Sequence, residues 1–350
     1  MRSRVLCVVV GAVSAFPPCL VSAQDVDVPG NLTMTNSTET QGNVLKDGVP
    51  FIHNFGSNNT FVGSNAGNLA MSGNANTGIG VSALRSNTTG IGNTAFGAFA
   101  LQNNTSSQGN TGIGATALQR NTTGFGNTAL GSSALFSNTT GVANTAAGFG
   151  ALVQNTTGFS NTADGFSVLT LNTTGALNVA SGANALHYNT EGSGNAAHGA
   201  SALQLNTTGS DNTAIGHLAL ETNITGNNNT ACGLRALASN STGDDNTAVG
   251  NLALRYSSTG SFNTAIGSGA RIPFLSELNN ATAIGANAVV NASNKVRLGD
   301  TNVTVIEGEG DFHASGAGNG IILKSPDGLT CARLSIDNSG QLVTTLVTCP

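Results

Sequence analysis

The sequence predicts an all-β fold: a parallel β-solenoid with coils of 17 residues. Three observations lead to this prediction. An element close to Asn-Thr-Ala recurs every 17 residues from Asn59 to Asn263, in thirteen copies without insertion or deletion. The copies fit the consensus N-T-A-x-G-x-x-A-L-x-x-N-T-T-G-x-x, and such a fixed period is typical of stacked repeats. Two glycines per copy, next to β-branched threonines, exclude an α-helical solenoid.

We number the residues of each coil 1 to 17 from the first Asn of the consensus. Position 5 is glycine in every copy, and position 15 is glycine in most copies. A glycine repeated in register indicates positive φ or a corner too tight for a Cβ atom. The sequence assigns this corner role to Gly97, Gly114, Gly131, Gly148, Gly165 and Gly216.

The remaining constant positions predict the interior of the coil. Leu at position 9 and Ala at position 3 suit a thin, densely packed core, since a constant large side chain faces a constant small one. Asn at position 12 is predicted to form a ladder of amide hydrogen bonds along the axis. The core leucines include Leu118, Leu135 and Leu152, and the ladder includes Asn121, Asn138 and Asn155.

The chain begins with features of a cleaved signal peptide at residues 1–23. Arg2 and Arg4 precede an apolar run from Val5 to Val13, and small residues end at Ala23. The run is too short to remain as a membrane-spanning helix. We therefore expect a secreted protein, extracellular or at the cell surface.

Other segments flank the solenoid at residues 58–299. Residues 24–57, with strands at 31–34 and 49–52, are predicted to cap the first coil. After Ser268 the period slips to 18, and residues 294–306 form a last charged coil and strand. Residues 300–320 comprise that strand and a glycine-rich linker, and residues 321–350 read as a three-stranded meander. Its Cys331 and Cys349 are predicted to form a disulfide, whereas Cys232 is predicted to be a small packing residue.

Composition and motifs argue against several functions. Charged residues make up 8% of the chain and the net charge is −5, which gives no electrostatic basis for binding nucleic acid or an anionic membrane. No cofactor or metal set is apparent, because the turns carry Asn and Thr instead of regular acidic residues. The Asn-x-Thr triplets are attributed to stacking and turns more readily than to glycosylation. We expect a protein that is not an enzyme.

Position 4 is apolar near both ends of the repeat and polar in the middle. The polar residues Asp164, Ser181 and His198 lie on three successive coils. A catalytic triad is one interpretation, but nothing marks an activated serine or an oxyanion hole. A polar seam between associated chains and a plain solvent-exposed stretch are the other two, and the sequence does not choose between them.

The Asn-Thr-Ala-Ile-Gly elements at Asn212–Gly216 and Asn263–Gly267 resemble the head repeat of YadA-like trimeric autotransporter adhesins. The resemblance covers about residues 59–299. It implies a left-handed β-roll with three chains side by side, and a role in cell adhesion toward a surface, matrix or glycan ligand. The chain departs from that family in its longer coil, and it shows neither a heptad stalk nor the family's C-terminal membrane strands. Similar arrays occur in fibre proteins that end in a chaperone domain.

The predicted function is therefore that of a secreted or cell-surface structural protein that forms a rod-like fibre, which the resemblance implies is a trimer. A thin Leu-Ala core favours association of several rods, because one rod buries little apolar area per residue. Two alternatives stay open. A Thr-rich face, as at Thr77-x-Ile79 and Thr264-x-Ile266, could bind ice, or the rod could be a fibre or spike component of a larger appendage.

Overall fold

The computed structural model describes residues 35–38, 41–273, 277–303, 306, 321–325, 329–337 and 339–348. Within these ranges it is an all-β structure with a 17-stranded sheet along the repeat and a three-stranded sheet in the tail. Strands β1 to β20 are Val44–Lys46, Val49–His53, Thr60–Val62, Thr77–Ile79, Thr94–Phe96, Thr111–Ile113, Thr128–Leu130, Thr145–Ala147, Thr162–Asp164, Val179–Ser181, Ala196–His198, Thr213–Ile215, Thr230–Cys232, Thr247–Val249, Thr264–Ile266, Ala281–Ile284, Lys295–Leu298, Ile321–Lys324, Cys331–Ile336 and Leu342–Val347.

The repeat folds as a parallel β-solenoid, which confirms the predicted fold class. Strands β3 to β15 occupy positions 2 to 4 of successive coils, and each pairs in parallel and in register with the next one. Thr264 of β15 lies opposite Thr282 of β16, so the period lengthens to 18 where the sequence predicts it. The charged segment Lys295–Leu298 then adds β17 to the same sheet.

The core consists of the constant alanines and leucines. Positions 3, 8 and 9 are buried in the regular coils, and the leucines from Leu84 to Leu254 are at most 1% exposed. These leucines have φ between 47° and 54°, a left-handed conformation that the sequence did not reveal. This conformation costs about 1–2 kcal/mol for a residue with a Cβ atom. Burying a leucine contributes about 1.5–3 kcal/mol, so burial offsets the strain in each coil.

The first coil fills the same space differently. Position 9 is Gly67 (φ +67°), and the missing leucine is replaced by a fully buried Phe61 at position 3. A Cβ atom on Gly67 would lie 2.7 Å from the Phe61 ring, and one on Gly78 of the next coil would lie 2.8 Å from it. Phe61 therefore takes the place of one Ala-Leu pair and needs glycines on both sides.

A hairpin covers the open edge of the first coil. β1 and β2 are antiparallel, joined by Asp47 (φ 52°) and Gly48 (φ 74°), and β2 pairs antiparallel with β3. His53 of β2 is buried, and its Nε2 donates to the carbonyl oxygen of Ala66 at 2.7 Å. Burial lowers the pKa of His53, and the hydrogen bond to Ala66 opposes this only in part. The strand predicted at residues 31–34 lies outside the described residues.

The tail has the predicted meander, in which β18, β19 and β20 are antiparallel neighbours. Cys331 is buried at the start of β19, directly opposite Val347. Its predicted partner Cys349 lies outside the described residues, so the disulfide stays a prediction. Residues 1–34 and 307–320 also lie outside them. Of the strand predicted at 303–306, Val303 and Ile306 have no regular secondary structure, and the two residues between them are not described.

Candidate functional site

Asparagines at position 12 form the predicted ladder inside the rod. From Asn87 to Asn240 each is buried, and each Nδ2 from Asn104 onward donates to Oδ1 of the asparagine one coil earlier, at 2.7–2.9 Å. Asn155, for example, donates to Asn138 at 2.8 Å and also to the carbonyl oxygen of Gly158 at 3.0 Å. The buried amides thus satisfy one another along the rod.

Asparagines at position 1 form a second ladder, which was not predicted from the sequence. The Oδ1 atom of Asn127 accepts hydrogen bonds from both the backbone N–H (3.0 Å) and Nδ2 (3.2 Å) of Asn144. Nδ2 of Asn144 also donates to the carbonyl oxygen of Gly158 at 2.8 Å. The signal was the Asn that begins every copy. An amide kept at one position of every coil indicates stacking along the axis.

The two glycine positions are constrained in different ways. Position 5 has positive φ, as in Gly216 (φ +131°), where a Cβ atom would also lie 2.6 Å from the carbonyl oxygen of Gly233. Position 15 does not have positive φ. A Cβ atom on Gly141 would collide with Oδ1 of Asn138 and the carbonyl oxygen of Gly158. Glycine is therefore favoured at position 15, because the two ladders and the next coil meet there; in the one regular coil with Ser107 at this position, its hydroxyl accepts hydrogen bonds from Asn110 and Asn121 of the two ladders.

The outward face of the long sheet is the candidate interaction surface. Position 3 points inward, so positions 2 and 4 point outward on the same side of each strand. Position 2 is mostly Thr, and position 4 is mostly apolar and exposed. The exposed apolar residues at position 4 and its equivalents in β16 and β17 are Phe96, Ile113, Leu130, Ile215, Val249, Ile266, Ile284 and Leu298. On ordinary surfaces, exposed apolar side chains are scattered singly. Here eight of them are aligned along one face of the sheet, which is typical of an interaction surface.

Asp164, Ser181 and His198 interrupt this row on three adjacent strands. They are directly in register, and the Ser181 hydroxyl forms a 2.9 Å hydrogen bond with Nδ1 of His198. Ser181 lies between the other two, so Asp164 is on the far side of the serine and cannot orient the imidazole as a triad requires. All three lie on the outward face of the sheet, where they are exposed or half-buried, and this arrangement does not enclose a site for a reaction.

Cys232 also lies at position 4, and the prediction that it is a packing residue is wrong. Its side chain is exposed and its thiol is free. The reason is the alternation of the strand: Ala231 points into the core, so the next residue points out. Position 4 therefore faces away from the coil interior in all thirteen copies.

A third polar column strengthens the second half of the rod. At position 16, side-chain oxygens accept hydrogen bonds from backbone N–H groups one coil earlier. Asn227 accepts from Ser210 at 2.9 Å, and Asp244 accepts from Asn227 at 2.7 Å. In the first half the same position carries Ile91, Phe125 and Phe159. Asp244 therefore has a structural role in the coil stack.

The threonines at position 13 serve the coil stack. The hydroxyl of Thr139 donates to the carbonyl oxygen of Thr156 at 3.1 Å, and the same bond recurs from coil to coil. These hydroxyls are therefore engaged with the protein. An ice-binding face would have to use position 2, where Val179 and Ala196 interrupt the threonine row.

The Asn-x-Thr triplets that begin at position 12 would be glycosylation acceptors, but their asparagines lie inside the core. Asn121, Asn138 and Asn155 have no exposed area. A glycan on any of these asparagines is incompatible with the stacked coil, because each amide nitrogen already makes at least two hydrogen bonds. Their sequence pattern therefore reflects the ladder.

No protein-family model matches the chain, and no curated protein is significantly similar to it. Among the described residues, no helix is long and apolar enough to cross a membrane. Within the same ranges, no group of three or more His, Cys, Asp or Glu side chains is arranged to hold a metal ion.

Proposed function

We propose that the protein is a secreted or cell-surface structural protein whose rods associate side by side. The observation that carries this proposal is the row of exposed apolar side chains at position 4. Thirteen coils at strand spacing give a rod of about 60 Å, and an apolar row along it favours a partner of similar length. A non-enzymatic role in adhesion or surface structure fits such a rod.

Support for secretion comes from the sequence of residues 1–23, and support for adhesion comes from the resemblance to YadA-like heads. A homotrimer, which that resemblance implies, is one form that side-by-side association could take. The ligand would be a component of a cell surface, of the matrix or a glycan. A fibre component of a larger appendage would use the same lateral contacts.

The test is the mass of the chain in solution, measured by light scattering at micromolar concentration. We expect a multiple of the chain mass. A matched pair of variants locates the contact: Ile113→Asp places a charge on the apolar row, and Thr123→Asp places one at the exposed position 14 of the same coil. Dissociation by the first variant alone supports the proposal, whereas a monomeric wild type would refute it.

A separate measurement addresses the ice-binding alternative. Thermal hysteresis of the wild type is compared with that of Thr145→Leu, which removes a hydroxyl in the middle of the position 2 row. Hysteresis that this variant abolishes would favour ice binding over adhesion. We expect none in either protein.

A further inference from the structure

The order of residues at position 4 is nearly symmetric about Ser181. Two residues that lie the same number of coils before and after Ser181 form a pair. The nearest pair consists of two ionisable residues, and every other pair consists of two apolar residues. With equivalents in β16 and β17 included, the pairs are Asp164 with His198, Ala147 with Ile215, Leu130 with Cys232, Ile113 with Val249, Phe96 with Ile266, Ile79 with Ile284, and Val62 with Leu298.

We propose that this face binds a second copy of the same chain, with the two rods antiparallel. The twofold axis that relates the chains lies between them at the level of Ser181. An axis parallel to the strands reverses the rod direction but keeps the strand direction. Position 4 of one rod then meets position 4 of the other, and position 2 meets position 2. This is an isologous contact, the commonest kind in homo-oligomers. The inference rests on the proposed side-by-side association and gives it a direction and a register.

Charge complementarity selects this arrangement. The axis places Asp164 of each copy opposite His198 of the other, which gives two ion pairs when the imidazoles are charged. Within each chain the Nδ1 atom of His198 is engaged with Ser181, which leaves Nε2 for the second copy. The Asp164 carboxylate has no hydrogen-bond or ion-pair partner among the described residues. In a parallel, in-register assembly Asp164 would lie level with Asp164 of the other chain and not with His198, so the two ion pairs would not form.

Size complementarity agrees with charge. Ala147 meets Ile215, and Leu130 meets Cys232, so a small side chain faces a large one on both sides of the centre. At position 2, Val179 replaces threonine on the coil of the axis itself and would pack against its own copy. Val179 is exposed in the single chain.

The contact area is adequate for a stable pair. Fifteen strands spaced by about 4.8 Å give a face about 70 Å long, and three residues per strand make it about 10 Å wide. The face therefore has a projected area of about 700 Å² per chain. A standard interface buries roughly 800 Å² of accessible surface per partner, which is an area of similar size. Face-to-face packing at the usual sheet separation of about 10 Å brings outward side chains into contact.

A charge-swap series tests the direction. Asp164→Lys places like charges opposite each other in the antiparallel pair, and so does His198→Asp. Each should raise the dissociation constant at least about tenfold. The double variant Asp164→Lys/His198→Asp restores opposite charges and should recover association. Glu191→Lys, an exposed charge at position 14 nearby, is the control and should leave association unchanged.

Thiol cross-linking tests the register independently. Leu130→Cys should be joined to Cys232 of the second copy by a short bismaleimide, identified by peptide mass spectrometry. Ile79→Cys is the control: residue 79 lies three coils, or about 14 Å, from residue 130, so this cysteine should not be joined to Cys232 of the second copy.

The outcomes separate the two proposals. Association without rescue by the double variant, or cross-linking of Cys232 to Cys232 in the wild type, would overturn the antiparallel register and leave side-by-side association standing. A monomeric chain would overturn both.

Discussion

Ser257 offers the sharpest test of how the ladders stabilise the rod. It occupies position 12, where the ten preceding coils from Asn87 to Asn240 carry asparagine. The Oγ atom of Ser257 and the Oδ1 atom of Asn240 are both buried without a hydrogen-bond partner. The ladder therefore ends with an unsatisfied acceptor, and Ser257→Asn would extend it by one step.

The size of the effect follows from the neighbouring coil. Asn240 donates to Asn223 at 2.7 Å and to the carbonyl oxygen of Gly243 at 3.0 Å. An asparagine at 257 would make the same two bonds, to Asn240 and Gly260. Satisfying a buried acceptor contributes about 1–3 kcal/mol, and ordering the longer side chain costs up to about 1 kcal/mol. We expect a net stabilisation of about 1–2 kcal/mol.

Hydrogen exchange of the coils around residue 257 is the appropriate assay, because a solenoid opens locally and does not behave as one two-state unit. Amides in these coils should exchange about 5- to 30-fold more slowly in Ser257→Asn, the factor that corresponds to 1–2 kcal/mol. Amides near residue 121, far along the rod, are the internal control and should not change.

Ser257→Ala separates the two unsatisfied atoms. It removes the buried hydroxyl but leaves Asn240 without a donor, so its protection should fall between wild type and Ser257→Asn. If Ser257→Asn protects these coils no better than Ser257→Ala, ladder hydrogen bonds do not supply the stability that we assign to them.

Three further predictions concern the corner, the cap and the tail. Gly216→Val should locally unfold its coil, because a β-branched residue is strained at φ +131° and crowds Gly233, whereas Ala200→Val at an exposed corner should be mild; circular dichroism on heating compares them, and equal melting would contradict the corner assignment. The lowered pKa of His53 means that the unfolded cap binds more protons, so the cap should lose stability as the pH falls below about 6.5; hydrogen exchange of β1 and β2 should show this in wild type but not in His53→Gln. Cys331 and Cys349 should be recovered as a disulfide by mass spectrometry of unreduced peptides, since closing the loop contributes about 3 kcal/mol; free thiols in protein made under oxidising conditions would contradict it.

The period, the strands and the first ladder could be predicted because each depends on a residue repeated at one position. Constant glycine restricts the backbone, constant Leu and Ala restrict the core volume, and constant Asn at position 12 indicates stacking. The slip from 17 to 18 was also visible, since Thr282 repeats the position of Thr264. Periodicity is the information that a single sequence of this kind carries best.

The left-handed leucines could not be predicted, because propensity reserves positive φ for Gly, Asn and Asp. At position 9 the packing of the whole coil overrides that preference, and Gly67 in the first coil shows the residue that the backbone alone would favour. The outward direction of position 4 was also open. The sequence placed Ala at position 3 in the core but did not show that the chain is extended from position 2 to position 4, and the observed strand is what turns position 4 outward.

The ladders explain why position 4 can vary while the rod stays regular. Both rows of amides are satisfied only when each coil stacks on the last in one register, and a slip would bury unpaired donors and acceptors in every coil. The register is thus fixed by positions 1 and 12, inside the rod, and it does not depend on the outward residues. Aliphatic, aromatic, acidic and imidazole side chains at position 4 are all compatible with the same strand. Because the fold does not require their order, the symmetric arrangement of that order about Ser181 calls for a cause outside the single chain, and contact with a second copy supplies one.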